Sequence, residues 1–418
     1  MEFLTVETTE NAAARLQSEM ERFGKDKGQT VTTAQFNWDS IWRELVNIGI
    51  YRRGPDIAEI GSTWLDGLVA MDSLHPFSAR DVYQIGGPEI FLPSTWQTVA
   101  LDNRDEVWGI PFRTDTRVIF YWKDQLQKGA VDPAEAFSSF DNMTAAFTRL
   151  QAASIPAWIG PTNNGHNNVY NISSWIWAAG GDFLSGDGKQ TAFNSPAAQK
   201  GIQAYFDLLR FMPKQTSPFS DNDALQLFFA RKAAVMVAGP WLLNSLSQRK
   251  DVAELLPNLG VKLLPGPAFI GGTLLVIWKH SKYLFEPVDL IRRLTGPNFQ
   301  REYCEISGLL PVRLDLWTDQ FINSNEYMPV FHQAIQTGRV LRPTPLWGIV
   351  EDHLANTIGA VWRDLYALNL PGQKIDNLSE IVANRFDALG VNLTLMLSTS
   401  NEPRTNDEDD DFIPGLGI

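Results

Sequence analysis

The sequence predicts an α/β protein built as two lobes, on three observations. The first hundred residues alternate segments of strand and helix character. The chain has 418 residues, enough for two lobes with a core each. A loop carrying Arg113, Thr114 and Asp115 precedes the apolar strand Val118 to Tyr121, a natural place for the chain to cross between lobes.

Phe3 to Val6 is the first strand candidate. Thr8 or Thr9 can cap a helix whose apolar stripe is Leu16, Met20 and Phe23, and Gly28 ends it. Thr30 to Phe36 is rich in strand formers. Asp39 caps a second helix with Ile41, Leu45 and Ile48 on one face, broken at Gly54-Pro55, and Asp56 to Ile60 reads as a buried strand. Strands joined by helices predict a parallel sheet with right-handed crossovers. Ligands of such sheets sit beyond the carboxyl ends of the strands, here Asn37-Trp38 and Gly61-Ser62-Thr63-Trp64.

The middle of the chain reads as mostly helical. Ser195-Pro196 opens a helix with Ala198, Ile202, Phe206 and Leu209 on one face. Asp223 to Lys232 is another helix, and Ala233 to Ala238 a strand ending at Gly239-Pro240-Trp241. Val261 to Leu264 and Thr273 to Trp278 are further strands, and helices fill the rest to about Val391.

Composition narrows the classes of function. The formal charge of −13 makes a surface that repels phosphate backbones, so nucleic acid is a poor partner. The acidic run Glu402 to Asp411 reads as a solvated tail. The lone cysteine, Cys304, allows no internal disulfide and reads as a small buried residue on a helix. No apolar stretch is long enough to span a bilayer. Met1 leads straight into strand-like residues rather than a signal peptide. Gly160-Pro-Thr-Asn-Asn-Gly165 has the glycine spacing of a phosphate loop but lacks its Lys-Ser/Thr ending. No hydrolase or metal-binding motif is found, so no catalytic residue, metal ligand or cofactor is assigned.

Six segments in order carry a resemblance. They are Pro55-Asp-Ile-Ala-Glu-Ile-Gly61, Gly109-Ile-Pro-Phe-Arg-Thr-Asp-Thr-Arg-Val-Ile-Phe-Tyr-Trp-Lys123, Gly180-Gly181, Ala234-Val-Met-Val-Ala-Gly-Pro-Trp241, Leu264-Pro-Gly-Pro267 with Gly271-Gly272, and Leu310-Pro-Val-Arg313. Together they resemble the extracellular solute-binding proteins of sugar ABC transporters, the family of maltose-binding protein. The resemblance implies a periplasmic-binding-protein-like fold: two α/β lobes, a hinge and a central ligand cleft. It places lobe one at 1–112 and 261–312, lobe two at 113–260 and 313–400, and an acidic tail at 401–418. It also implies an extracytoplasmic monomer, not an enzyme, that binds a small carbohydrate and delivers it to membrane permease subunits.

A sugar site needs aromatic faces for its C–H surfaces and bidentate polar groups for its hydroxyls. Trp241 comes first, because the Gly-Pro turn lifts its ring and the family places a stacking aromatic there. Asp115 stands where the family carries a sugar-binding carboxylate, and its alternative is an ion pair with Arg113 or Arg117. Arg113 either steadies Asp115 or binds ligand. Ser62, Trp64 and Trp38 follow strand ends, where ligand binding stands equal with capping or core packing. Trp347 resembles an aromatic lining the far side of the cleft. Tyr170, Trp175 and Trp177 precede Gly180-Gly181, and one of them should face ligand. Gly272 allows close backbone approach, and Arg313 either binds ligand or pairs at the lobe boundary. Asn163, Asn164 and His166 read as a surface loop. The rival readings are the same fold binding a sugar phosphate or polyamine, and a glycoside-active enzyme, which needs two carboxylates about 5–10 Å apart.

Overall fold

The computed structural model describes residues 1–6, 8–101, 106–214, 217–283, 285–341, 344–368 and 377–399. Among them, eleven strands form two sheets: β1 (Glu2–Val6), β2 (Thr32–Phe36), β3 (Ile57–Gly61), β4 (Leu74–His75), β5 (Ile110–Thr116), β6 (Val118–Trp122), β7 (Trp158–Ile159), β8 (Val235–Ala238), β9 (Leu259–Lys262), β10 (Ile270–Trp278) and β11 (Leu310–Pro311). The acidic tail lies outside the described residues.

The amino-terminal half of the first sheet follows local signals. β2, β1 and β3 lie side by side and parallel. The helix Glu10–Lys27 is capped by Thr9, whose hydroxyl accepts from the amide of Ala12 at 3.2 Å, and stops at left-handed Gly28. It buries Leu16, Met20 and Phe23 as its spacing requires. The helix Trp38–Tyr51 starts earlier than expected, because Asn37 rather than Asp39 caps it. Asn37 Oδ1 accepts from the amide of Ser40 at 3.0 Å.

The sheet is not uniformly parallel. Its order is β11-β5-β10-β3-β1-β2, with β4 on the end of β10, and β10 runs antiparallel to both neighbours. Alternate residues go to opposite faces. Phe3, Ile57, Phe112 and Leu275 pack on one side, and Leu4, Ile60, Trp64 and Leu274 on the other. The second sheet, β7-β8-β6-β9, is covered by helices in one large core that holds Phe120, Trp158, Trp175, Phe228 and Trp362. This is the expected two-lobed α/β architecture.

The crossings between sheets fall later than the expected boundaries at 112, 260 and 312. β5 stays in the first sheet through Thr116, and β6 enters the second at Val118, so Arg117 is the crossing residue. β9 is still in the second sheet at Lys262, and the chain rejoins the first at Ile270. Arg313 still bridges Phe91 of the first lobe, whereas Trp317 lies in the second core. At the first two crossings ladder bonds carry the strand past the local sequence break, and at the third an isolated bridge does so.

Cys304 sits on the helix Pro297–Ser307 and is buried. Burial pushes its thiol pKa up to about 12, partly opposed by nearby Arg113. Since the thiolate is the reactive form, Ellman's reagent should detect no thiol in the native protein and one per chain after denaturation. Rapid reaction of the native protein would contradict this burial.

Candidate functional site

The two sheets frame a cavity of about 670 Å³ lined by both lobes. On the first lobe it lies beyond the carboxyl ends of parallel strands: Thr8 and Thr9 after β1, Trp38 after β2, and Gly61, Ser62 and Thr63 after β3. β5 adds Arg113, Thr114 and Asp115. The second lobe supplies Asn163, His166, Asn167 and Tyr170 after β7. It also supplies Ser220, Asp221 and Asn222 from one helix start, and Trp241, Asn244 and Ser245 from another.

Two indoles face the cavity from opposite lobes. Trp38 is 37% exposed, an unusual state for so large an apolar ring and one that leaves its face free for contact. Trp241 is half-buried at the start of the helix Trp241–Ser247. A Cβ at Gly239 would lie 1.8 Å from the Trp241 ring, so the Gly-Pro turn is what lets the indole fold back beside β8.

Both arginines of the cavity are committed. Arg113 is 2% exposed and pairs with Glu59, which is fully buried. Desolvation works against the Arg113 charge, but the Glu59 carboxylate outweighs it and holds its pKa above the ordinary value. Glu59 also accepts from the Thr5 hydroxyl at 2.5 Å. Arg117 Nη1 donates to Asp115 Oδ2 at 2.7 Å, and Nη2 donates to Asn167 Oδ1 at 2.9 Å. Asn167 in turn donates to Asp221 at 3.0 Å. The Tyr170 ring lies flat on Phe269, with centroids 4.3 Å apart. Burial first, then the Glu351 carboxylate, pushes the Tyr170 phenol well above its usual range, so it stays neutral and able to donate.

Of the residues singled out in the sequence, the cavity brings together Trp241, Asp115, Arg113, Ser62, Trp38, Tyr170 and Gly272. Four others lie elsewhere. Trp64 is 1% exposed and sits behind the wall, donating from Nε1 to Glu351 Oε2 at 2.8 Å. Trp175 packs among Phe140, Trp158 and Tyr205 in the second core. Trp347 is buried against Phe183. Arg313 forms a bidentate pair with Asp315 at 2.8 and 2.7 Å and donates to the carbonyl of Thr295. Trp177, the third aromatic of its group, is buried and donates to Asp182.

The sequence reading missed Asn163 and His166, which line the cavity. His166 Nε2 lies 2.7 Å from Asp352 Oδ1. It also missed the Ser220-Asp221-Asn222 cap and Arg117. The density of asparagines from Asn163 to Asn171 was the available signal.

Gly272 has φ 139°, and a Cβ there would lie 2.1 Å from the carbonyl oxygen of Arg113 on β5. Gly272→Ala should therefore cost about 1–3 kcal/mol or more, read from urea unfolding. Gly28→Ala, strained in φ but with nothing within 4 Å, should cost less. Equal costs would show that the close approach is harmless.

Comparisons with known proteins agree with this architecture. The family described as "Bacterial extracellular solute-binding protein" matches residues 20–330. A probable ABC transporter-binding protein of Deinococcus radiodurans is 24% identical over 283 residues, 64% of this chain and 66% of that protein. A maltotriose-binding protein of Pyrococcus abyssi is 21% identical over 336 residues, 75% of this chain and 66% of that protein. The alignments thus span just under two thirds of both relatives. The GacH receptor of Streptomyces glaucescens, whose structures include a complex with acarbose, superposes with a TM-score of 0.76 at 18% identity, covering 93% of this chain and 98% of that one.

Proposed function

Since the chain belongs to the bacterial extracellular solute-binding protein family, we propose that it captures a neutral carbohydrate between its lobes and delivers it to the membrane permease of an ABC importer. The observation that carries the reading is the makeup of the cavity: an indole from each lobe, short amides and carboxylates between them, and no spare cation among its described lining residues. Sugar C–H faces suit Trp38 and Trp241, while sugar hydroxyls suit Asp115, Asn163 and Asn244. A phosphorylated solute would meet arginines already neutralised by Glu59 and Asp115, with Asp221 adding further negative charge. The maltotriose-binding relative supports the same class of ligand.

The mechanism is a shift of population. Open and closed lobe arrangements differ little in energy, and a ligand that touches both lobes favours closure in proportion to the contacts made only when closed. The protein works outside the cytoplasm as a monomer and leaves the solute chemically unchanged.

A thermal-shift screen tests this. Maltose, maltotriose, tagatose and ribitol are the probes, with sugar phosphates and spermidine as controls. A binder at a hundredfold excess over its Kd should add about 2.7 kcal/mol of stability. A shift with carbohydrate alone supports the reading. A shift confined to the phosphorylated or polyamine controls overturns the carbohydrate assignment.

A further inference from the structure

We infer that Arg117 is a positioning residue that ties the hinge to the aromatic wall of the cleft; this rests on reading the cleft as one that opens and closes around a solute. Arg117 is the single residue between β5 of the first sheet and β6 of the second. Its backbone is therefore where one of the crossing strands bends when the lobes rotate. Its side chain is 2% exposed, which is costly for a guanidinium unless its donors and its charge are used.

Its charge and both Nη groups are used across the lobe boundary, while Nε, also buried, has no partner among the described residues. Nη1 holds Asp115, which stands on the first sheet, at 2.7 Å. Nη2 holds Asn167, on a second-lobe helix, at 2.9 Å. The cation lies 4.6 Å from the centroid of the Trp241 ring and 5.5 Å from those of Tyr170 and Phe269. Phe269 immediately precedes β10, so it marks the second crossing, and its carbonyl accepts from the Thr116 hydroxyl at 3.0 Å. One guanidinium thus grips both lobes and touches two of the three crossings.

Rotation about this point cannot preserve all of these contacts. The Asp115 bond belongs to the first lobe, and the Asn167 bond and the Trp241 stack belong to the second. Opening lengthens one set or drags the other. The angle between lobes and the seat of the Trp241 ring are therefore set together. The planar fork is what makes this possible, since it offers two parallel donors and a stacking face at once; a lysine keeps the charge but has neither.

The test needs no ligand. Spin labels are placed on Tyr83→Cys, at a site 81% exposed on the first lobe, and Lys128→Cys, at a side chain 69% exposed on the second. Buried Cys304 stays unlabelled. Interlobe distances are read by pulsed electron resonance. Arg117→Lys should shift or widen the distribution, and Asn167→Ala, which removes one grip and leaves the ion pair, should move it the same way by less. Arg313→Lys, beside the third crossing, should leave it unchanged. Tryptophan emission should respond to Arg117→Lys in the parent and much less in a Trp241→Phe background. A merely structural Arg117 would lower the melting temperature without moving the distances. Superimposable distributions for Arg117→Lys and Asn167→Ala, in proteins with native circular dichroism, would overturn the inference. Because no sugar is present, that failure is distinct from a silent ligand screen.

Discussion

Trp241→Ala should weaken binding of the proposed carbohydrate ligand by roughly 30- to 1,000-fold, the two to four kcal/mol expected of a buried aromatic anchor. The indole packs beside Arg117, with the cation 4.6 Å from the ring centroid, and both residues line the cavity. Truncation deletes the stacking surface and uncovers the guanidinium, so the ligand loses an apolar wall and gains a polar one. Trp241→Phe keeps a ring and should lose less. The indole is half-buried rather than part of the core, so the melting temperature should fall only modestly. Isothermal titration with the best ligand of the screen decides. A Kd within threefold of the parent's would mean that the sugar rests elsewhere in the cleft.

The largest effect on stability should come from Arg113→Ala. The substitution leaves Glu59, which has no exposed surface, as a buried carboxylate with only Thr5 and the Val6 amide as donors. Breaking such a pair from one side costs about 3–5 kcal/mol. Removing both charges, as in Arg113→Met with Glu59→Leu, should recover most of that loss, because the pair's attraction largely offsets its desolvation. Urea unfolding of the single and double variants measures the difference. If the single variant loses less than about 1 kcal/mol, the range of an exposed ion pair, water must reach Glu59. The same experiment bears on binding, since Arg113 also lines the cavity. Its role is then to hold the floor of the site rigid rather than to offer a charge to the ligand.

The cap expected at Asp39 falls on Asn37, the helix expected from Asp223 is capped by Ser220, and the expected loop at Arg113 to Asp115 is strand β5. Several other strands and caps were legible in the sequence because they depend on neighbours a few residues apart. Thr9, Gly28 and the Leu16, Met20, Phe23 stripe are of this kind. The site was legible at Trp38 and Ser62, where strand ends dictate it; Asp115 and Trp241 came from the resemblance, and Asp115 lies inside β5 rather than in the expected loop. Legibility failed for Trp64, Trp175 and Trp347 for a common reason. An indole is equally suited to a core and to a sugar, and nothing local says which way it turns. The helix Asn167–Ala178 sharpens the point: it is buried on nearly every side, so its apolar periodicity marks no preferred face. Asn163 and His166 failed in the opposite sense. Polar residues between Gly and Pro look like surface, and only the approach of the other lobe makes them a wall. The antiparallel β10 was hidden as well, since pairing direction depends on a partner more than 150 residues away in the chain.

That strand also orders events in time. β10 sits between β3 and β5, pairing Thr273 with both Gly61 and Arg113. Before it arrives, β3 and β5 have no common neighbour, and the halves of the first sheet remain apart. A chain emerging from its amino terminus therefore carries an incomplete first lobe until the second has largely been made. Closing so long a loop is an entropic cost that must be met before the pairing returns anything. Refolding should accordingly show the second sheet protected from hydrogen exchange ahead of the first, with β3 and β5 exposed longest. Completion of the first lobe thus waits on a strand that comes after nearly two thirds of the chain has been made.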